Sequence, residues 1–78
     1  MEYTYSNIEN KPDLLTNDEE DNMLSGIHYD IINSEMINKN IDYCLWNEND
    51  ENLHIFYNNE LSQDDKMILD DIVNNNTD

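Results

Sequence analysis

The sequence predicts a small α+β fold in which an antiparallel β-hairpin packs against a C-terminal helix. Residues 41–46 and 53–57 are two runs rich in β-branched and aromatic residues, separated by a polar loop, which is typical of a hairpin. Residues 62–73 then combine a serine, early acids and apolar residues at helical spacing, as in a capped amphipathic helix. An extended N-terminal arm precedes this unit.

Alternation within the hairpin predicts which side chains face the core. It places one row of each strand on a common face: Ile41, Tyr43 and Leu45 in the first strand, and Leu53, Ile55 and Tyr57 in the second. Trp46 and Phe56 then fall on the opposite faces. We therefore expect both sides of the hairpin to be covered, either by helices or by a partner.

The C-terminal helix is the best-marked helix of the chain. Ser62 is a good N-cap, and the acids of the first turn suit the positive end of the helix dipole. The expected buried stripe is Ile68, Leu69 and Ile72, flanked by Met67 and Val73. Acids near the C-terminal end oppose the dipole, so we expect fraying there and a disordered tail over residues 74–78.

Upstream of the hairpin the pattern is less regular. Thr16 and Glu19 have capping-box spacing, which predicts a helix start at Thr16. Gly26 predicts a turn or break. Residues 27–36 fit both a helix, by the spacing of their isoleucines, and a strand, by the alternation of Ile27 and its neighbours. We favour a short helix there.

Residues 1–15 form the predicted arm, residues 16–73 a single domain, and residues 74–78 the tail. The arm contains alternating apolar residues and Pro12, which blocks a continuing helix. Its tyrosines have no local core to enter, and aromatic residues are enriched at protein interfaces. The interface candidates are Tyr3, Tyr5, Ile8, Leu14, Leu15, Trp46 and Phe56.

The charge of the chain is its most unusual property. The 78 residues include 19 Asp and Glu but only three Lys and no Arg, giving a formal net charge of −16. Such a negative field opposes direct binding to nucleic acid and to anionic membranes, favours basic partners, and destabilises the compact state through self-repulsion. No apolar run approaches the roughly 20 residues of a membrane span, and we expect no signal peptide.

Catalytic, cofactor and metal sites are all expected to be absent. Cys44 is the only cysteine, which precludes an internal disulfide and fits a reducing compartment. A pair between Cys44 and either His28 or His54 is compatible with the sequence, but nothing marks an oxyanion hole or an orienting group. The loop over residues 47–52 lacks the Asp spacing and central Gly of a calcium-binding hand. We therefore expect a protein that is not an enzyme.

Residues 27–73 carry a pattern that extends beyond the capped helix. Its downstream part comprises Leu53-His54-Ile55-Phe56-Tyr57, Leu61-Ser62, Asp65-Lys66, Leu69-Asp70 and Ile72-Val73; its upstream part comprises Ile27, His28, Asp30, Ile31, Ser34 and Met36. This pattern resembles a family of small tailed-phage virion proteins and domains, often attached to tail-fibre or head-fibre components. The resemblance implies a structural role in a virus particle, in repeated copies, and no catalytic residues.

Two functional hypotheses follow. The first is a non-enzymatic bacteriophage virion structural or assembly protein that binds neighbouring virion subunits, or itself, through its arm and acidic surface. The alternative is an acidic DNA-mimic inhibitor, of the anti-restriction or anti-CRISPR type, that occupies a basic nucleic-acid-binding cleft of a host protein. Both predict a protein partner and a location in the virion or the host cytoplasm.

Overall fold

The architecture was obtained from a computed structural model that describes residues 1–14 and 26–77. The elements within those residues are, in order, β1 (Glu2–Tyr5), α1 (Ile27–Ile32), β2 (Ile41–Asn47), β3 (Asn52–Tyr57) and α2 (Gln63–Asn76). The predicted helix start at Thr16 and the interface candidate Leu15 lie outside the described residues. Among the described helices, none is both long and apolar enough to cross a membrane.

The three strands form one antiparallel sheet with the order β1-β3-β2. The predicted hairpin is confirmed as β2 and β3, and the predicted α+β class with a C-terminal helix is confirmed as well. Residues 2–5 of the predicted arm add a third strand, β1, beside β3. The N-terminal segment therefore pairs with the chain's own sheet.

Both described helices pack on one side of this sheet, which we call the inner face. Strand β3 contributes Leu53, Ile55 and Tyr57 to the core, and all three are almost fully buried. They pack with buried residues of the helices and connecting segments: Ile8, Ile27, Ile31, Met36, Ile41, Leu61, Leu69, Ile72 and Val73. The described part of the chain thus has two layers, a sheet and a pair of helices.

A β-bulge in β2 corrects the predicted facing of this strand. Ile41 lies opposite Tyr57, whereas Tyr43 lies opposite Phe56, so Asp42 is an extra residue between two consecutive partners. The inserted residue reverses the alternation that follows it. Tyr43 and Leu45 consequently face away from the core, and Cys44 and Trp46 face into it; the sequence pattern had predicted the opposite for Tyr43, Leu45 and Trp46.

Helix α1 confirms the helical prediction for the first part of residues 27–36. Gly26 precedes it with φ of 110°, and a Cβ at this position would lie 2.9 Å from the carbonyl oxygen of Asp13. Only glycine combines that backbone angle with that close approach. Ile27 N–H donates to the same Asp13 carbonyl at 2.9 Å, so Gly26 allows the backbone at Asp13 to bond with the start of α1.

Helix α2 begins as predicted and ends later. Ser62 Oγ accepts a hydrogen bond from Asp65 N–H. At the other end, Asn76 Nδ2 donates to Ile72 O and to Asp30 Oδ2, and Thr77 Oγ1 donates to Val73 O. The bonds to Ile72 O and Val73 O satisfy carbonyls that a fraying end would leave open, which corrects the expectation of disorder for residues 74–76. Val73 is buried and Met67 is 61% exposed. The buried stripe of α2 therefore lies nearer Val73 than the sequence predicts.

Candidate protein-binding face

The side of the sheet opposite the helices presents two rows of three side chains. The pairing register aligns Glu2 with Phe56 and Tyr43 in one row, and Thr4 with His54 and Leu45 in the next. We call these six residues the outer face: Glu2, Thr4, Tyr43, Leu45, His54 and Phe56. Each row runs across all three strands, from β1 through β3 to β2.

Large apolar side chains occupy half of the outer face. The rings of Tyr43 and Phe56 are stacked, with their centroids 4.3 Å apart and their planes at 20°. Tyr43 is 48% exposed and Leu45 is 42% exposed. In an antiparallel sheet with one packed face, the opposite face is commonly polar. Phe56 is partly buried. An exposed tyrosine stacked on this ring, beside an exposed leucine, departs from the pattern of a sheet that simply faces water.

A hydrogen-bonded polar group flanks the aromatic pair. Glu2 Oε2 lies 2.6 Å from His54 Nδ1, and Thr4 Oγ1 donates to the same Glu2 oxygen at 3.0 Å. The hydrogen bond with His54, followed by that from Thr4, lowers the pKa of Glu2 below its ordinary value. Glu2 is therefore a carboxylate at neutral pH, placed at the end of the row that contains Phe56 and Tyr43.

The strands and the hairpin loop carry only negative formal charge. Residues 2–5 and 41–57 contain no lysine or arginine and five acidic residues: Glu2, Asp42, Glu48, Asp50 and Glu51. The lysines lie in other parts of the chain. Lys66 of α2 pairs with Asp70 at 2.6 Å, and Lys39 Nζ donates to the Ile32 carbonyl at 2.9 Å. The sheet side of the molecule therefore attracts cations.

The arm tyrosines, predicted as interface residues, lie on the inner face of β1. Tyr3 Oη accepts a hydrogen bond from Leu61 N–H at 2.7 Å, and Tyr5 Oη donates to Asp70 Oδ1 at 2.7 Å. Lys66 Nζ lies 5.7 Å from the ring centroid of Tyr3 and 5.2 Å from that of Tyr5. The premise that these tyrosines have no local core is wrong, because both pack against the core cluster.

The other predicted interface residues divide between the core and the outer face. Ile8 is buried, Leu14 is partly buried against the core, and Trp46 Nε1 donates to the Ile8 carbonyl at 2.9 Å. Phe56 is the predicted candidate that the outer face includes. Sequence reasoning missed Tyr43 and Leu45 as surface residues, since alternation alone gives no sign of the bulge at Asp42.

Cys44 and His54 lie on opposite faces of the sheet. Cys44 is aligned with Ile55 on the inner face, whereas His54 belongs to the outer face. Burial raises the pKa of the Cys44 thiol to about 12, so the thiol is protonated at neutral pH. This arrangement separates the thiol from His54, one of the two histidines that the sequence offered as its partner. In the described part of the chain, no group of three or more His, Cys, Asp or Glu could hold a metal ion.

Comparisons with known proteins yielded no relative of the chain. No family model, no curated protein and no solved structure matches it.

Proposed function

We propose that this chain is a non-enzymatic protein-binding module that acts as a structural or assembly component of a bacteriophage virion. In this proposal the outer face docks on a neighbouring subunit. The observation that carries it is the stacked Tyr43–Phe56 pair beside Leu45 on a sheet face that the described helices leave open. Aromatic residues are the side chains most enriched in the buried centres of protein interfaces.

The energetics of the outer face support docking. Apolar surface contributes roughly 25 cal/mol for each Å² removed from water. Tyr43 and Leu45 retain close to half of their surface in the free chain, so a partner that covers them gains this contribution. The stacked pair is also preorganised, because each ring already restricts the other, and binding therefore costs little side-chain entropy.

The virion setting rests on the resemblance of residues 27–73 to small phage virion proteins. The contact surface in this proposal differs from the arm favoured by the sequence. The two arm tyrosines direct their hydroxyl groups to Leu61 and Asp70 inside the molecule. The arm instead contributes Glu2 and Thr4 to the outer face, at the edge of the proposed contact.

Site-specific photo-crosslinking in assembled particles tests this proposal. A benzoylphenylalanine introduced at Tyr43 should crosslink to another virion subunit in gradient-purified particles. The same group at Met67, which is more exposed but lies on α2, serves as the matched control and should remain uncrosslinked. Absence of the chain from purified particles rejects the virion role, and equal crosslinking at both positions rejects the outer face as the contact.

The same crosslinks also test the inhibitor hypothesis. If the group at Tyr43 captures a single host nucleic-acid-binding enzyme from cell extract, and if this capture falls steeply as salt rises, the acidic inhibitor replaces the virion component as the function. The sheet side favours this alternative only through its charge, since residues 41–57 contain four acids and no lysine or arginine.

A further inference from the structure

The proposed function does not say which side chain of the partner contacts the outer face. The residues of the outer face indicate the chemistry of that side chain. We infer that the outer face recognises an arginine side chain on the partner's surface, which stacks on the Tyr43–Phe56 pair and is neutralised by Glu2. This inference rests on the proposed docking function. It goes beyond that function by naming the group that occupies the face.

The geometry of one row carries the inference. Glu2, Phe56 and Tyr43 are aligned across adjacent strands, and adjacent strands lie about 4.8 Å apart. A planar guanidinium stacked on the aromatic pair therefore lies within reach of the Glu2 carboxylate. Glu2 Oε2 is shared by His54 and Thr4. The other carboxylate oxygen of Glu2, Oε1, forms no hydrogen bond with a described residue. That oxygen is the acceptor for the guanidinium.

Arginine fits this row better than lysine does. A guanidinium is planar, stacks on aromatic rings and is weakly hydrated, so it loses little on leaving water. An ammonium is a compact, strongly hydrated charge that is not planar, so it does not stack on the free face of an aromatic ring as a guanidinium does. The outer face offers an aromatic surface and one carboxylate side by side, which matches both properties of the arginine side chain.

Charge disfavours a second copy of the chain, nucleic acid and anionic membranes as occupants of the outer face. A second copy of this chain would bring its own formal net charge of −16 to a surface whose strands carry acids and no lysine or arginine. Nucleic acid and anionic membranes are repelled for the same reason. A basic protein surface is the partner that gains from this field during the encounter and from the aromatic row after docking.

An NMR titration with short peptides tests the inference. The probes are the blocked peptide Gly-Arg-Leu-Arg-Gly and its analogue with lysine at both basic positions, each added to the full chain in 0.15 M NaCl. We expect the arginine peptide to shift the amide signals of Tyr43, Leu45, His54 and Phe56 most strongly. We also expect it to bind at least about threefold more tightly than the lysine peptide, since only the guanidinium stacks well.

Variants of Tyr43 separate stacking from simple apolar contact. Tyr43→Leu keeps an apolar side chain but removes one of the two stacked rings, and it should weaken binding of the arginine peptide about fivefold. Glu2→Gln should weaken it as well and should reduce the preference for arginine. Met67→Ser alters an exposed apolar residue on α2 and should leave the affinity unchanged. A dispersed amide spectrum for each variant establishes that it is folded.

Three results would overturn the inference. These are equal affinity for the two peptides, signal changes spread over acidic residues of α2 such as Asp64 and Asp71, and self-association through the outer-face signals as the protein is concentrated. Each leaves the crosslinking test untouched. If Tyr43 crosslinks to a subunit but the peptides show no preference for arginine, only the inferred partner chemistry is wrong. If Tyr43 gives no crosslink, the proposed docking function is wrong.

Discussion

At the scale of single residues, Asp65 links two distant parts of the chain. Its side chain is 3% exposed, and its two oxygens accept hydrogen bonds from the backbone N–H groups of Ile37 and Asn38 at 2.9 and 3.0 Å. Its own N–H donates to Ser62 Oγ. Asp65 is thus held in the first turn of α2 by the Ser62 cap, and its side chain fixes the segment that leads into β2.

Replacing Asp65 should destabilise the fold far more than replacing its neighbour. Asp65→Ala leaves two backbone donors without an acceptor, and we expect a loss of about 1–3 kcal/mol in the free energy of unfolding, measured with urea. Asp65→Asn retains one acceptor and should lose less. Asp64→Ala is the control, because Asp64 is exposed in the same helical turn and contributes about 0.3–1 kcal/mol through the dipole. Equal losses for Asp64→Ala and Asp65→Ala would contradict this role.

At the scale of elements, β1 is attached to the rest of the molecule by more than its pairing with β3. Tyr3 accepts from the N–H of Leu61, just before α2, and Tyr5 donates to Asp70 within α2. Lys66 also bonds Asp70 and lies over both rings. The first strand and the last helix of the described chain are therefore joined by side chains across the edge of the sheet.

The pKa of Asp70 should report this junction. Burial raises this pKa, but hydrogen bonds from Lys66 and Tyr5 outweigh burial and hold it below the ordinary value of 3.8. A lowered pKa means that the carboxylate stabilises the fold above about pH 4 and that this contribution is lost as the pH falls through the folded-state pKa. Tyr5→Phe removes one of the two hydrogen bonds, so the Asp70 pKa should rise.

A carboxyl-carbon NMR titration of Asp70 measures that rise. Tyr43→Phe removes a hydroxyl group from the outer face and should leave the Asp70 titration unchanged. The unfolding free energy of Tyr5→Phe should also depend less on pH below about pH 4 than that of the wild-type chain, because its Asp70 pKa lies nearer the unfolded value. An Asp70 pKa that is identical in Tyr5→Phe and the wild type would show that Tyr5 does not stabilise the carboxylate.

The elements also show where sequence reasoning succeeds and where it fails. The hairpin, the Ser62 cap and the start of α2 are local signals, and the structure confirms them. The bulge at Asp42 reverses the facing of Tyr43 and Leu45, and no local preference marks it. Pairing of β1 with β3 joins residues about fifty positions apart in sequence, and a four-residue segment carries too little pattern to predict it.

The candidate site was missed for the same physical reasons. Tyr43 and Leu45 were assigned to the core because strict alternation assumes an uninterrupted strand. Glu2 meets His54 only through the pairing of β1 with β3, so their contact depends on tertiary structure. The direction of Phe56, away from the core row, was predicted correctly because β3 is regular and its core row is continuous; its place in an interface stays a prediction. The outer face could therefore be predicted on β3 and not on either edge strand.

At the scale of the whole molecule, charge repulsion opposes compactness. The chain carries a formal net charge of −16, and the fold extends over 32 × 30 × 20 Å. The Debye length is about 30 Å at 0.01 M salt, comparable to the molecule, and about 8 Å at 0.15 M. At low salt the carboxylates therefore repel one another across the whole fold, whereas at physiological salt only near neighbours do.

Stability should accordingly rise with salt. Between 0.01 and 0.15 M NaCl we expect the thermal midpoint to increase by about 4–8 °C, the shift that about 1 kcal/mol of relieved repulsion gives in a domain of this size. Calorimetry measures it. The double variant Glu48→Gln, Glu51→Gln removes two exposed charges from the hairpin loop, and it should be more stable than the wild type at 0.01 M and gain less from added salt.

A midpoint that is independent of salt in both proteins would mean that the folded chain already neutralises its charges locally. The negative field could then contribute little to attracting a basic partner over distance, and recognition would depend on the Tyr43–Phe56 pair and Glu2 alone.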